Sequence, residues 1–562
     1  MKFSEMPYTR PIFEDVRSRL EDLHKRFTAA SSSEECFDIY KEYDDYCSEF
    51  NSMFILAYIR NSLDTNDAFY AGEKDYQNEV YPKLKEYLQK FTSALLNSQY
   101  RKDMEDKWGS LMFINAEMEL KTFNPEIVAD LQEENTLKTE HNKLIASAQI
   151  NFDGKTLTLA QLRPYYENPD RSIRKTAVEA AAGWYMGYAE QLDSLFDKLV
   201  KVRTRIAKKL GYENFIELGY YRMQRNCYTQ DMVANFRKGI LEHIVPIVTE
   251  LKKEQAKRIG VDTIKHYDQS FEYPDGNAIP VGTAEDIFAH GKKMYHELSE
   301  ETAGFIDFML ENELFDVMTR PGKSAGGYCH YIPQYKSPFI FANFNGTSGD
   351  IRVFTHEVGH ALAGYEAKDI YPSTLRYCTY EIAEIHSMSM EFFTWPWMEG
   401  FFGEQTDKYY HSHLSYGLSF LPFGAIGDEF QHIIYQNPDM TPAERNQTWL
   451  DLERKYRPWL DLEDTPFYGE GCHWQGIMHI FERPFYYIDY ALAKIMAMCF
   501  WAENQSSPKQ AWDRYMRLIG FAGTKTFVDL ITDAGLPTPF EADNIKDVAD
   551  IVTEWLKNSS RF

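Results

Sequence analysis

The chain has 562 residues, of which 44% are hydrophobic and 26% are charged, and these values are typical of a large globular protein. Asp and Glu number 85 against 60 Lys and Arg, so the formal net charge is -25. Because such a surface repels nucleic acid and anionic membranes, the composition argues against both as partners.

Cysteine usage and the first residues of the chain predict a cytoplasmic location. The seven cysteines are scattered and form no C-x-x-C pair, which argues against a disulfide framework and against a cysteine zinc site. The segment 1–7 lacks the apolar stretch of a secretory signal. The sequence also has no apolar run of the roughly 18 residues that a membrane-spanning helix needs.

Amphipathic helices are predicted over most of the chain, beginning near its N-terminus. From Phe13 to Phe27 the apolar residues recur every three or four positions, as on one face of a helix. Similar stretches continue to about residue 145. From this pattern we predict a helical N-terminal lobe over residues 1–150, followed by a larger region over residues 151–562 that packs closely against it.

The first break in the helical pattern predicts a β-hairpin. Residues 150–159 alternate in polarity around Asp153-Gly154, a dipeptide typical of two-residue hairpin turns. Further along, a glycine-rich loop over residues 324–328 precedes a short apolar strand candidate at 338–344. The loop lacks the spacing of a phosphate-binding loop. Loop and strand could form a wall along which a peptide lies as an added strand, and an ordinary surface loop is an equally good interpretation.

The strongest motif in the chain is H-E-x-x-H at residues 356–360, within a stretch that is predicted to be helical. Residues four apart lie on one helical face with Cβ atoms about 6 Å apart, so His356 and His360 can bind one metal ion. Glu357 is rotated by about 100° from His356 and can act as the general base on a zinc-bound water. The motif therefore predicts a zinc hydrolase centre, and two ordinary histidines on a helix are the alternative.

A catalytic zinc site needs a third protein ligand. The metzincin pattern would require Gly at position 363 and His at position 366, but the chain has Ala363 and Glu366. A predicted helix over residues 380–393 carries three acidic residues near one face: Glu381, Glu384 and Glu391. Carboxylates among so many apolar neighbours need a partner such as a cation. The spacing alone does not choose between Glu381 and Glu384.

Two segments resemble the oligoendopeptidase F family. They are T-H-E-V-G-H-A at residues 355–361 and A-E-I-H-S-M-S-M-E at residues 383–391, and the chain looks closest to the short members that include bacterial PZ-peptidase, relatives of thimet oligopeptidase. Similar segments continue through most of the chain from about residue 150. The resemblance implies a mainly α-helical clamshell that encloses a deep central cavity, with a few short strands near the zinc site.

The resemblance also implies a ligand set and an activity. The family glutamate that binds zinc corresponds to Glu384, so we expect one Zn2+ per chain held by His356, His360 and Glu384, with Glu381 and Glu391 in supporting roles. Members of the family cut short peptides at internal bonds and exclude folded proteins. We therefore expect short peptide substrates and no nucleic-acid or membrane partner, while the sequence leaves the oligomeric state open.

Three residues near the C-terminal end are candidates for stabilising the oxyanion of peptide hydrolysis: His479, Tyr486 and Tyr490. Tyr486 and Tyr490 are four apart and would lie on one helical face. An aromatic core stripe is the alternative interpretation, and the resemblance to the family's F-Y-x-Y-Q-Y-A block favours the catalytic one. The chain departs from that block at two positions, where Ile488 replaces its middle tyrosine and Asp489 replaces its glutamine.

Two other functions remain open from the sequence. A zinc metallocarboxypeptidase on a related helical scaffold also uses H-E-x-x-H with a downstream glutamate. A non-catalytic peptide-binding protein is the second alternative, but it has no need of a general base, so the intact Glu357 argues against it. The donor set is also compatible with another divalent metal in place of zinc.

Overall fold

The computed structural model describes residues 1–559, and the chain is 72% helical, which confirms the expectation of a mainly α fold. The first helices form the N-terminal part: α1 (Phe13–Thr28), α2 (Ser33–Leu63), α3 (Ala68–Leu96), α4 (Arg101–Trp108), α5 (Ser110–Leu120) and α6 (Val128–Ala146). They have apolar cores of their own, one of which joins Leu20, Phe54 and Leu84 from the first three helices. The lobe boundary at residue 150 stays a prediction.

The Asp-Gly hairpin is present where the sequence predicts it. Strands β1 (Ile150–Phe152) and β2 (Lys155–Leu157) pair in antiparallel register. The φ angles are 52° at Asp153 and 70° at Gly154. Positive φ at both central residues is what a type I′ turn requires, and Asp-Gly tolerates this conformation well.

The middle of the chain is a further succession of helices and short strands. The helices are α7 (Leu159–Leu162), α8 (Arg171–Gly187), α9 (Ala189–Lys209), α10 (Phe215–Arg222), α11 (Gln230–Gly239), α12 (Val245–Ile259), α13 (Ala284–Leu298) and α14 (Glu300–Glu311). The strands are β3 (Ile264–Lys265), β4 (Phe315–Met318), β5 (Tyr328–Ile332), β6 (Ser337–Phe344) and β7 (Leu460–Asp461). β3 pairs in parallel with β7.

Strands β4, β6 and β5 form a mixed sheet in that order, next to the helix that carries the H-E-x-x-H motif. β6 is the predicted apolar strand. It lies in the centre, parallel to β4 and antiparallel to β5, and its central position explains why nearly all of its residues are buried. β5 was not predicted from the sequence, and its half-buried residues Tyr328, Cys329 and His330 line a cavity.

The remaining helices surround the second half of the molecule. They are α15 (Gly349–Glu366), α16 (Tyr380–Phe393), α17 (Glu399–Phe402), α18 (Thr406–Gln436), α19 (Pro442–Tyr456), α20 (Met478–Glu482), α21 (Tyr487–Ser506), α22 (Pro508–Gly520), α23 (Phe527–Asp533) and α24 (Ala542–Ser559). α16 packs against both α15 and α21, and its side chains are almost all buried. Most of its polar side chains have partners inside the protein, whereas Glu381 Oε2, His386 Nε2 and Ser389 Oγ have none within residues 1–559.

A cavity of about 1310 Å³ lies between the N-terminal helices and the later region. Its walls include Tyr58 of α2 and Lys74 of α3 on one side, and His356 of α15 and Glu384 of α16 on the other. This enclosure agrees with the expected clamshell. Within residues 1–559, every helix is either too short or too polar to cross a membrane.

Candidate active site

Close packing of α15 against α16 brings the predicted metal ligands together. A Cβ atom at Gly359 would lie 2.7 Å from the carbonyl oxygen of His386 and 2.7 Å from Cα of Ser387. Real Cβ atoms do not approach backbone this closely, so a glycine is needed here. The glycine of the H-E-V-G-H segment thus sets the distance between the two helices that carry the ligands.

His356, His360 and Glu384 form one cluster. One possible ligand atom from each residue lies within 4.8 Å of the others. Glu384 Oε2 is 3.3 Å from His356 Nε2 and 3.6 Å from His360 Nε2. Two imidazole nitrogens and one carboxylate oxygen are a ligand set used by catalytic zinc sites, in which a fourth position stays open.

Glu381, which spacing alone could not exclude, is outside this cluster. Its Oε1 accepts a hydrogen bond of 2.6 Å from the Thr379 hydroxyl. Burial raises the pKa of Glu381, and Arg225 is among the charged groups near it. Arg225 donates to Asp489 at 2.7 Å, at the position where the family block has Gln. These residues form a buried polar group on the α21 side of α16, away from the two histidines.

A series of hydrogen bonds orients the His356 ring through its Nδ1 atom. Its Nδ1 lies 2.7 Å from Glu391 Oε1, and His413 Nε2 lies 2.8 Å from Glu391 Oε2. The indole of Trp395 can only donate, and it does so to His413 Nδ1 at 3.0 Å. His413 therefore carries its proton on Nε2 and donates it to Glu391. The Glu391 carboxylate in turn accepts from His356 Nδ1–H, which leaves His356 Nε2 free to bind a metal.

The carboxylate of Glu384 is also held in place by neighbours. The Tyr486 hydroxyl donates to Glu384 Oε1, and the Ser387 hydroxyl donates to Glu384 Oε2 at 3.1 Å. Tyr486 is buried, with 9% of its surface exposed. In this arrangement the Tyr486 hydroxyl serves the ligand, so it is not free to meet a substrate oxygen.

His479 and Tyr490 form a second pair next to the cluster. The Tyr490 hydroxyl lies 3.3 Å from His479 Nε2, and the rings of Tyr486 and Tyr490 are 4.8 Å apart between centroids. Tyr486 immediately precedes α21 and Tyr490 lies in its first turn, so the predicted common face is present. All three predicted oxyanion candidates line the same cavity as the ligands.

Glu357 is buried but incompletely hydrogen-bonded. The residue is 6% exposed, and its Oε2 has no hydrogen-bond partner among residues 1–559. Burial raises its pKa, while His356 and His360 act in the opposite direction. The loop before β5 passes close to this carboxylate, because a Cβ at Gly327 would be in van der Waals contact with Glu357 Oε1, at 3.5 Å. A buried, unpartnered carboxylate oxygen beside a cavity is available to take a proton.

Three groups that matter for this geometry were missed from the sequence: His413, Trp395 and Ser387. His413 lies on α18 and Trp395 lies just after α16, and no local motif marks either of them. Ser387 had a weak signal, because it lies one helical turn after Glu384. Glu391 was expected to support the site, and its contact with His356 gives that expectation a physical form.

The chain was compared with families of known proteins. A model of the peptidase M3 N-terminal domain matches residues 3–123, and a model described as peptidase family M3 matches residues 165–546. The second match covers more than half of the chain. The chain belongs to peptidase family M3. This membership shows that the chain is a peptidase.

Individual M3 relatives place the chain in the oligoendopeptidase F group, as the resemblance predicted. Oligopeptidase PepF of Bacillus subtilis (strain 168) is 21% identical, over 94% of this chain and 82% of the relative. A structure of PZ peptidase A with an inhibitor is 47% identical, covers 99% of each chain and superposes with a TM-score of 0.98. A structure assigned to oligoendopeptidase F from Bacillus anthracis str. Ames is 45% identical with a TM-score of 0.93, covering 99% of this chain and 98% of the other.

Proposed function

We propose that this M3 peptidase is a zinc-dependent oligoendopeptidase that cuts internal bonds of short unstructured peptides, with one Zn2+ per chain. The observation that carries the proposal is the cluster of His356, His360 and Glu384, whose ligand atoms lie within 4.8 Å of one another on the wall of a large cavity. A cytoplasmic location stays part of the proposal.

The residues present fit a divalent cation. Burial raises the pKa of Glu384, but His360 and His356 outweigh this effect and hold it well below its usual range. Burial lowers the pKa of His356, yet Glu384 and Glu391 raise it to about 10. Glu384 and Glu391 are therefore ionised carboxylates beside the imidazoles, and their charge favours a cation at the cluster. When bound, zinc supplies a Lewis acid that polarises the scissile carbonyl and lowers the pKa of water.

Glu357 is proposed as the general base. Its unpartnered Oε2 can accept a proton from the attacking water, and the same group can then return that proton to the leaving amine. Burial supports this role, because a raised pKa brings the carboxylate closer to the pH at which it must both take and give a proton.

Tyr490 is proposed as the donor to the oxyanion. Burial lowers the pKa of His479 to about 4, so His479 is neutral at pH 7. If its Nε2 carries the proton and donates to the Tyr490 oxygen, the Tyr490 hydroxyl proton remains free for the substrate. Tyr486 is less suited, because its hydroxyl is already used by Glu384. We therefore assign Tyr486 to positioning the ligand and His479 to orienting Tyr490.

The position of the site inside a cavity limits the size of the substrates that can reach it. The cluster faces a cavity of about 1310 Å³, lined on the opposite side by α2, α3, α5 and α6. An extended peptide can enter such a space, whereas a folded domain cannot bring a backbone carbonyl to Glu357 without unfolding. We therefore propose that native globular proteins are not cleaved.

A quenched-peptide assay with product analysis tests the proposal. We expect turnover that is lost on chelation and restored by zinc, with internal fragments as products. Single C-terminal amino acids as products would support a metallocarboxypeptidase instead. Tight peptide binding without turnover, in a zinc-loaded protein, would support a non-catalytic binder.

A further inference from the structure

Two cations on the cavity wall have no acidic partner. The Arg483 guanidinium, just after α20, lies 4.8 Å from the ring centroid of Tyr380 and 5.5 Å from that of Tyr486. The Lys74 ammonium on α3 lies 4.4 Å from the ring centroid of Tyr58. Within residues 1–559, neither charged group forms an ion pair or a side-chain hydrogen bond. Both line the cavity that contains the metal ligands.

The two cations lie on either side of a small group of rings. Tyr58, which contacts Lys74, has its ring 5.1 Å from that of His330 on β5. Burial lowers the pKa of His330 to about 4, and Arg483 and Lys74 both lower it further. His330 is therefore neutral at pH 7 and can donate one hydrogen bond. Arg483 lies over the ring of Tyr486, and the Tyr486 hydroxyl donates to Glu384, one of the predicted metal ligands.

Acidic side chains lie near these two cations without forming an ion pair with them in the described part of the chain. Glu482 is the main acid acting on Lys74, but its Oε1 lies 3.5 Å from His141 Nδ1. Glu134 on α6 accepts from Arg203 at 2.8 Å and from Arg222 at 2.9 Å. Within residues 1–559, Arg483 and Lys74 therefore stay without an ion-pair partner on the cavity wall, although the whole chain has a formal net charge of -25.

We propose that Arg483 and Lys74 form an anion subsite that binds a carboxylate of the peptide while its scissile bond lies at the metal cluster. The inference rests on the proposed function and names the substrate class: peptides with a carboxylate at a fixed distance from the cleaved bond. A guanidinium without an ion-pair partner can bind a carboxylate with two charge-assisted hydrogen bonds. The aromatic rings under both cations keep them extended toward the cavity.

The carboxylate can be the C-terminus of the peptide or an Asp or Glu side chain, and two pairs of peptides distinguish these sources. One pair differs only in a free acid against an amide at the C-terminus. The other pair is amidated and differs only in Glu against Gln, placed at successive positions. A carboxylate engaged by such a subsite is expected to raise kcat/KM by about 10- to 100-fold, mainly through KM.

The subsite is tested by substitution in the full-length zinc-loaded protein. In the double variant Arg483→Gln/Lys74→Gln, the ratio of kcat/KM between the two peptides of a pair is expected to fall to near unity. The kcat on the amidated peptide should stay close to that of wild type. Arg483→Lys should keep part of the preference. Lys143→Gln is the matched control, because Lys143 also lines the cavity but is an exposed residue near Asp75. That variant should keep the full preference.

Two results would overturn the subsite. One is a wild-type protein that treats both members of every peptide pair alike. The other is an Arg483→Gln variant that loses kcat equally on all peptides while the preference persists, since Arg483 would then only position Tyr486. Binding of the same peptides to Glu357→Gln protein, measured by calorimetry, gives the preference without turnover. A failure of the proposed peptidase mechanism is thereby separated from a failure of the subsite.

Discussion

The two sides of the metal cluster differ in how completely their polar atoms are used. On the ligand side, Glu391 accepts from His356 and His413, and both oxygens of Glu384 accept hydrogen bonds. On the cavity side, Glu357 Oε2 has no partner within residues 1–559. Both oxygens of Glu384 and of Glu391 thus have partners, whereas Oε2 of Glu357, the proposed general base, has none and is available to take a proton.

The largest effect is expected at the free side of this comparison. Glu357→Gln removes the proton acceptor and keeps the size of the side chain, so kcat should fall on the order of 10²- to 10⁴-fold while zinc content is unchanged. Steady-state kinetics and metal analysis measure both quantities. Glu366→Gln, at an exposed position of the same helix, serves as the control. Turnover of Glu357→Gln within about tenfold of wild type would contradict the mechanism.

Tyr486 and Tyr490 test the same difference, because we assign Tyr486 to the ligand side and Tyr490 to the cavity side. Tyr490→Phe should lower kcat on the order of 10²- to 10³-fold with normal zinc content. Tyr486→Phe removes a hydrogen bond to Glu384 and should instead weaken zinc binding about 10- to 100-fold. Kinetics and zinc titrations of both variants, with Tyr487→Phe as control, distinguish the two roles. Equal behaviour of Tyr486→Phe and Tyr490→Phe would contradict the division.

Zinc binding can be weakened by a substitution at a residue that is not itself a proposed ligand. Glu391→Gln keeps the shape of the side chain but removes the charge that accepts from His356 Nδ1, so zinc affinity should fall about 10- to 100-fold. Competition titration with a zinc chelator measures this change, and Glu399→Gln on the surface is the control. An unchanged zinc affinity would show that the hydrogen bond does not orient His356.

The smallest expected effect concerns acid stability. Burial lowers the pKa of His330, His411 and His479 to about 4. The folded state keeps these groups neutral, so their contribution to stability is present above the unfolded pKa of about 6.5 and is lost as pH falls toward 4. The metal-free protein should therefore lose up to about 1.4 kcal/mol per pH unit for each histidine.

Thermal melting of the metal-free protein between pH 6.5 and 4.5 measures this loss. His411→Gln should melt with a shallower pH dependence than wild type, and His24→Gln should match wild type. His356 does not contribute to the change in stability over this pH range. Its raised pKa of about 10 means that its stabilising contribution is fully present below pH 6.5. A pH-independent melting temperature over this range would contradict the assignment of buried neutral histidines.

Much of the site was predictable because its signals are local. A four-residue spacing places His356 and His360 on one face, and Asp153-Gly154 specifies its own turn. The choice of Glu384 over Glu381 needed the family resemblance, because the two residues lie on the same helical face and only the packing of α15 on α16 separates them. Such choices depend on contacts between helices, which no spacing rule contains.

The contacts that could not be predicted join distant segments. Trp395, just after α16, donates to His413 of α18, and His413 then donates to Glu391. Strand β5 has only five residues of mixed polarity, and its pairing with β6 decides its conformation. The sequence also predicted that Tyr486 and Tyr490 share a face, but not that their hydroxyls have different partners.

We propose that Glu384, and not Glu381, completes the metal site with His356 and His360. The most direct measurement is the zinc content of purified Glu384→Gln and Glu381→Gln proteins, with circular dichroism to confirm that both are folded. A neutral amide is a poor zinc ligand, so we expect Glu384→Gln to lose most of its zinc and its peptidase activity, while Glu381→Gln retains one zinc per chain. Full zinc occupancy in Glu384→Gln together with zinc loss in Glu381→Gln would contradict the account.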